Sequence, residues 1–443
     1  MTEAYNLEST PTTMPTSLDL PTESITVSPV KSRFIKRLLH WEYFWLSILV
    51  FLLLIMHFSL VYQQYHPFYL FEKVGGPYTF LSPDQTIFDE AHYIKDARSI
   101  LAGEGDIRGE HPPMGKLFII TGMKIFGDNP LGWRFFPIIL GITGIVFFYL
   151  TCRRLNMAKW AAYLATFFLA FENLTFVQSQ IAMLDVFMLP LMMVCVWLYL
   201  RKNYLLSGIF IGLTALVKLT GILILPALIM HWIIIRRDGD WKFLGLMFLS
   251  LFSFIVLMPF LEYFTFGQLT NPIERITSML SGMSSLTFTT AAHPNMSRPW
   301  EWVLKIDPMP YAYVPHYLAT ISPTVQLIII PVIGYMIYRS FKGNNASRFA
   351  LLWFMSTFVL WIPLSLITDR VSFVYYFFPT VGAICIGMGL AFNQLVDIWQ
   401  FGPVKGWRAA ALGILICYMF IHLTVFLVLS PFTNWWAYPI PTS

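Results

Sequence analysis

Long apolar runs separated by short polar stretches organise this chain. Eleven of them read as membrane helices: 41–61, 132–151, 158–174, 181–199, 205–217, 222–235, 243–261, 320–338, 349–367, 372–392 and 409–430. A hydrocarbon core asks for about 20 apolar residues per helix. The runs 205–217 and 222–235 are shorter, and Lys218-Leu219-Thr220-Gly221 joins them, so their junction is expected below the far membrane surface. Residues 1–30 are rich in Ser, Thr and Pro without apolar periodicity, the composition of a disordered segment. The basic cluster Lys31, Arg33, Lys36, Arg37 comes late, and no small-residue cleavage site follows. The first run is therefore expected to stay in place rather than act as a signal peptide.

Two long polar and aromatic stretches interrupt the runs, 62–131 and 262–319. Loops of that length are uncommon unless functional. The expected organisation is a cytoplasmic tail (1–40), an N-terminal transmembrane catalytic module (41–261) including the loop 62–131, a second outer loop (262–319), and C-terminal helices with a short outer tail (320–443).

Composition supports the membrane reading. Of 443 residues, 57% are hydrophobic and 12% charged, against about 25% charged in soluble domains. Too few charges remain to coat a water-facing surface, which excludes a soluble enzyme and a disordered chain. The net charge of +5 says nothing of nucleic acid once the basic residues are assigned to sides. With the N-terminus cytoplasmic, Arg153, Arg154, Lys159, Arg201, Lys202, Arg236, Arg237, Lys242, Arg339, Lys342, Arg348, Lys405 and Arg408 all fall inside. Asp84, Asp89, Glu90, Asp96, Glu104, Asp106, Glu110 and Asp128 fall outside. That asymmetry is the ordinary orientation signal. The four cysteines form no CxxC pair, which argues against a disulfide framework or a zinc site.

The few remaining charges carry the chemistry. In Phe88-Asp89-Glu90-Ala91-His92 two adjacent carboxylates open an expected helix, Asp89–Leu101. They read either as an N-cap with its first-turn acid or as a base for an incoming hydroxyl. Glu110-His111-Pro112-Pro113-Met114-Gly115-Lys116 holds His111 out of helix, because two prolines follow it. Asp185 sits within a run, Lys218 at the junction of two short runs, and Arg134 and Arg370 at run ends. Charges in a membrane span are costly and usually functional, although ion pairing or interfacial anchoring would also account for them. Three cations near one face suit a lipid-linked phosphate. His293, Arg298 and Trp300 fall in the second outer loop, as an aromatic belt or as part of a sugar site.

In order, these motifs resemble those of the protein O-mannosyltransferases, membrane glycosyltransferases of the GT-C class. The similar elements are Asp89-Glu90-x-His92, His111-Pro112-Pro113-x-Gly115-Lys116, Gly132-x-Arg134, Met183-Leu184-Asp185, Gly208-x-x-x-Gly212 through Lys218-x-Thr220-Gly221, Ser297-Arg298-Pro299-Trp300-x-Trp302, and Arg370-x-x-Phe373 through Pro379. The family often carries an acid two residues before the HPP histidine, where this chain has Gly109, and Leu219 replaces a family Trp. No large hydrophilic insert of the eukaryotic kind lies between 262 and 319, which points to a bacterial or archaeal member and its cell membrane.

The resemblance implies an all-α polytopic GT-C fold with about eleven transmembrane helices and two long outer loops. It implies transfer of mannose from a polyprenyl-(dolichyl-)phosphate carrier to Ser/Thr hydroxyls of translocated proteins, at the outer face, by inverting displacement. Asp89 is the expected base and Glu90 its support. Arg134, Lys218 and Arg370 are the expected phosphate ligands. His92, Glu110, His111, Asp185, His293, Arg298 and Trp300 are expected to shape the substrate site. No cofactor is demanded, although the acidic outer loop offers ligands to a divalent metal. The expected partners are the lipid donor, a secreted or membrane acceptor protein and the bilayer, with a dimer or Sec translocon association compatible with that setting. Competing readings are a GT-C enzyme moving another lipid-linked sugar onto a glycolipid or polymer, a transporter or flippase, and a non-catalytic partner subunit. The absence of a visible repeat between halves weighs against transport.

Overall fold

The structure is a computed structural model describing residues 42–62, 86–235, 241–284, 287–290, 295–312 and 317–432. The N-terminal tail with its basic cluster, Asp84, Arg236, Arg237, His293 and residues 433–443 lie outside the described residues. Residues 1–45 group apart from 46–443. Of the first group only 42–45, which open the first helix, are described.

Helix α1 (Phe44–Ser59) fills the first run. The first outer loop carries α2 (Glu90–Leu101) and α3 (Met114–Phe126). Then come α4 (Pro130–Arg154), α5 (Lys159–Ala170), α6 (Asn173–Gln178), α7 (Leu184–Leu200) and α8 (Tyr204–Val217). A 3-10 turn, Leu219–Leu223, leads into α9 (Ile224–Ile235), followed by α10 (Lys242–Phe266). The second outer loop holds α11 (Pro272–Ser284), α12 (Glu301–Leu304) and an antiparallel hairpin. Its strands are β1 (Met309–Ala312) and β2 (Tyr317–Ala319), in the register Met309 to Ala319 and Pro310 to Leu318. The chain continues through α13 (Pro323–Gln326), α14 (Ile329–Phe341), α15 (Asn345–Phe354), the π-helical segment Met355–Val359, α16 (Trp361–Thr368), the 3-10 turn Val374–Phe377, α17 (Phe378–Phe401) and α18 (Lys405–Leu429).

All eleven apolar runs hold helix. Among the described residues, five helical stretches are long and apolar enough to cross a membrane: Pro130–Arg154, Lys242–Phe266, Asn345–Thr368, Val374–Phe401 and Lys405–Leu429. Five more apolar helices run 10–17 residues. Two expected spans are broken. Run 158–174 splits at Glu172, whose carboxylate accepts the Thr175 N–H at 2.7 Å and caps α6. Run 320–338 splits into α13 and α14.

Between helices in lipid, close packing replaces the hydrophobic effect as the cohesive term. α8 and α10 show it directly. A Cβ at Gly208 would lie 2.5 Å from the Leu246 carbonyl oxygen, and one at Gly212 2.0 Å from Ser253 Oγ, so only glycine permits this approach. α17 is central, with 83% of its apolar window buried, whereas α18 has 17%. Phe248, Leu251 and Phe420 point outward at 60–70% exposure, a surface suited to acyl chains and not to water.

A separate apolar cluster joins the first outer loop to the helices below. Tyr93 and Ile94 of α2, Ile119 of α3, Trp133 of α4, Phe187 of α7 and Val217 of α8 belong to it. It brings the acidic pair and the HPP loop over the ends of α7 and α8.

Candidate active site

Asp89 precedes the first residue of α2, yet its side chain makes no capping hydrogen bond. The capping explanation of this acid therefore fails. Phe88, just before it, has φ +51°, a left-handed conformation that a bulky residue adopts only when its surroundings hold it there. Here they do: the Phe88 ring stacks on Tyr311 at 4.3 Å and 7°, and Gln178 donates to the Tyr311 hydroxyl at 3.0 Å. Asp89 is partly buried. Desolvation pushes its pKa up to about 6, against the pull of Arg108 and Lys218 and with a further push from Asp185.

Glu90 has a different fate. It is fully buried and forms a two-point ion pair with Arg134, Nε to Oε1 at 3.1 Å and Nη2 to Oε2 at 2.8 Å. The same carboxylate accepts the Ile87 N–H at 3.0 Å and the Ala182 N–H at 3.1 Å. Arg134 also donates to the Val61 carbonyl at 2.8 Å. Both charges are spent inside the fold, tying the start of α2 to α4 and to the approach to α7. Arg134, expected to meet a donor phosphate, is fully buried here and paired with Glu90.

Lys218 and Asp185 form a second pair. Lys218 breaks the helix after α8 with extended backbone, φ −153° and ψ 129°, and its Nζ sits 2.8 Å from both Asp185 carboxylate oxygens. The ammonium lies 5.0 Å from the Tyr376 ring centroid, a cation–π distance. Unlike Arg134, Lys218 reaches open space. It lines a cavity of about 200 Å³ with His111, Asp185 and Arg370, and with Leu219, Leu223, Leu280, Trp361, Tyr376 and Pro379 among the others. One end is thus cationic and the remainder largely apolar. The cavity offers cationic side chains to an anion and an apolar lining beside them.

His111 stands on that wall. Burial and the cations Lys218, Lys116, Arg370 and Arg108 hold its pKa well below the ordinary value, so it is neutral at physiological pH. Gly115 explains how the HPP loop comes so close. A Cβ there would fall 2.4 Å from Leu184 Cδ2, so glycine lets α3 settle against the turn carrying Asp185. Lys116, fully buried, binds Asp96 at 2.9 Å and also Asp106, and donates to the Arg108 carbonyl at 2.6 Å. This network escaped the sequence reading. The lysine of the HPP element is a fastener for loop 103–113, not a ligand-facing cation.

The remaining expected residues are placed as follows. His92 accepts from Arg108 Nη2 at 3.3 Å, and burial with the neighbouring Arg108 charge lowers its pKa to about 4. Glu110 turns towards Gly282 of α11, with one carboxylate oxygen buried and without a hydrogen-bond partner. Arg298 binds Asp369 at 2.6 Å and the Ser365 carbonyl at 3.0 Å. Ser297 and Ser372 exchange hydrogen bonds, Ser297 N–H to the Ser372 carbonyl at 2.9 Å and Ser372 Oγ to the Ser297 carbonyl at 2.8 Å. The Arg298 motif therefore clamps the strand bearing Arg370 rather than lining the cavity. Trp300 lies at the surface, 37% exposed, while Trp302 is buried and donates to Ser297 Oγ. Among the described residues no three His, Cys, Asp or Glu side chains converge as a metal-binding group.

Known proteins can now be compared. A family model described as dolichyl-phosphate-mannose-protein mannosyltransferase matches residues 110–263. The polyprenol-phosphate-mannose–protein mannosyltransferase of Mycolicibacterium smegmatis is 24% identical over 463 residues, covering 84% of this chain and 86% of the relative. That of Mycobacterium tuberculosis is 22% identical over 445 residues, covering 80% and 83%. Among solved structures, the S. cerevisiae protein O-mannosyltransferase Pmt1–Pmt2 complex bound to the sugar donor superposes with TM-score 0.66 at 12% identity, over 88% of this chain and 90% of that one. ArnT from Cupriavidus metallidurans bound to undecaprenyl phosphate gives TM-score 0.57 at 16% identity, over 86% and 71%. These structures establish the fold: the chain folds as these multi-pass membrane transferases do, and its sequence is similar to that of the protein mannosyltransferases.

Proposed function

We propose that the chain transfers mannose from a polyprenyl-phosphate carrier to Ser/Thr hydroxyls of protein acceptors at the outer membrane face. The observation that carries this reading is the cavity in which Lys218, Arg370 and neutral His111 meet an apolar floor, with desolvated Asp89 in the electrostatic field of Lys218 and Asp185. The relatives' names supply the sugar and the acceptor class.

In this mechanism Asp89 accepts the proton of the acceptor hydroxyl. The new bond joins that oxygen to the anomeric carbon as the carbon–oxygen bond to phosphate breaks, with inversion. The departing phosphate gathers negative charge, which Lys218 and Arg370 balance. Asp185 fixes the Lys218 ammonium. Glu90 and Arg134 act at one remove, by holding the backbone on both sides of Asp89. Transfer onto a glycolipid would use the same cavity, but this chain spans 90% of the matched Pmt1–Pmt2 chain against 71% of ArnT.

The test is transfer of labelled mannose from polyprenyl-phosphate-mannose to a Ser/Thr-rich peptide by the full chain in vesicles. Labelled peptide with inverted anomeric configuration is expected. Label appearing on lipid but not peptide would select the glycolipid reading, and no donor consumption would refute the enzyme reading.

A further inference from the structure

Arg275, on α11 in the second outer loop, reaches back across 166 residues of chain to the HPP loop. Its Nη1 donates to the Gly109 carbonyl at 2.8 Å and its Nη2 to the His111 carbonyl at 3.4 Å. Its Nε donates to Glu262 Oε1 at 2.9 Å, and Nη2 lies 3.5 Å from Asp106. One planar guanidinium thus serves two backbone oxygens and two carboxylates, which no lysine can reproduce. It is largely buried, at 12% side-chain exposure, and Glu262 more so at 3%.

Two features show that this contact shapes the cavity rather than merely decorating a loop. α11 itself contributes Leu280 to the cavity wall, and its Met279 packs in the apolar cluster of Leu216 and Met258. Position 109 must also be small: a Cβ there would lie 3.0 Å from Arg275 Nη1. The same loop and arginine also line a second cavity of about 600 Å³, with Glu104, Asp106, Gly109, Glu262 and Thr270 among its lining residues. The Asp106–His111 segment therefore borders both cavities, and Arg275 fastens it.

We infer that Arg275 is a positioning residue that sets His111 against the donor cavity by latching α11 to loop 103–113. The inference rests on the proposed donor role of that cavity. It predicts that loosening the latch weakens donor binding specifically. A residue important only for folding would reduce the amount of active enzyme and leave both Michaelis constants unchanged.

The experiment compares wild type with Arg275→Lys, Arg275→Ala and Gly109→Ala in the full chain in vesicles. It follows donor KM, acceptor KM, kcat and backbone hydrogen exchange over 103–111. The latch predicts a donor KM raised about tenfold or more in Arg275→Ala and less in Arg275→Lys and Gly109→Ala, with acceptor KM unchanged. Exchange over 103–111 should quicken in the same order. Gly109→Ala leaves every charge paired, so it reports even if Arg275→Ala does not accumulate. Unchanged donor KM in the folded variants, or unchanged exchange over 103–111, overturns the inference. If wild type itself consumes no donor, the functional reading fails, and hydrogen exchange alone still decides whether Arg275 holds the loop.

Discussion

Asp89 makes no helix-capping bond and, among the described residues, no ion pair; it sits where desolvation dominates. A carboxylate with a pKa near 6 is a stronger base than an ordinary aspartate and remains ionised at neutral pH. As pH falls through about 6 it takes up a proton and can no longer accept one. kcat/KM should therefore drop on the acid side with a limb near pH 6, measurable with a slow donor. Asp89→Asn should lower kcat by about 10²–10⁴-fold and remove that limb. Stability has the opposite sign: the raised pKa means that ionising Asp89 costs folding free energy, and this cost grows as pH rises from about 3.9 towards 6. Lys218 belongs to the same scale. Lys218→Gln leaves the buried Asp185 unpaired, so the double variant Lys218→Gln/Asp185→Asn is the cleaner probe. It should fold and still show donor KM raised at least tenfold.

At the scale of elements, fixed strongpoints hold the site. The Glu90–Arg134 pair links α2, α4 and the approach to α7 with both partners fully buried. Removing one partner strands a charge, so Arg134→Ala should cost about 3–5 kcal/mol in a denaturation assay in detergent. The second clamp joins Arg298 to Asp369, next to Arg370. Arg298→Ala should raise donor KM through a displaced Arg370 while leaving the pH limb of Asp89 in place. These strongpoints also mark the limit of sequence reading. Glu90 and Arg134 are 44 positions apart, and each was visible as an isolated charge. Nothing in the one-dimensional pattern says that they neutralise each other, so Arg134 was expected to meet a phosphate and Glu90 to support Asp89. Asp185 and Lys218 were legible as a candidate pair because both charges fall at membrane depth, one within an apolar run and one where two short runs join. Arg275 was missed because it lies in a loop with no motif around it. A signal was nonetheless present: Glu262 is the one acid in α10, and the expected span 243–261 stopped just short of it, where the helix continues to Phe266.

Across the whole molecule, the hydrophobic pattern translated into helix at every one of its eleven runs, because each is apolar enough to leave few alternatives in lipid. Breaks within runs were less legible, since Glu172 interrupts one by a capping bond and not by any change in average hydropathy. On the proposed orientation the acidic pair, the HPP loop and the Arg298 clamp face outward and the basic doublets face inward. This orientation predicts that a cysteine at position 104 reacts with an impermeant maleimide in intact cells, and one at position 342 only after permeabilisation, in a Cys417→Ala background. The central claim concerns the cavity between these layers. Its most direct test is a cryo-electron microscopy map of the full chain with polyprenyl phosphate. The account predicts headgroup density within hydrogen-bond reach of Lys218 and Arg370, beside His111, with the Glu90–Arg134 pair intact beneath it. A headgroup bound to Arg134 with that pair broken, or density outside this cavity altogether, would contradict it.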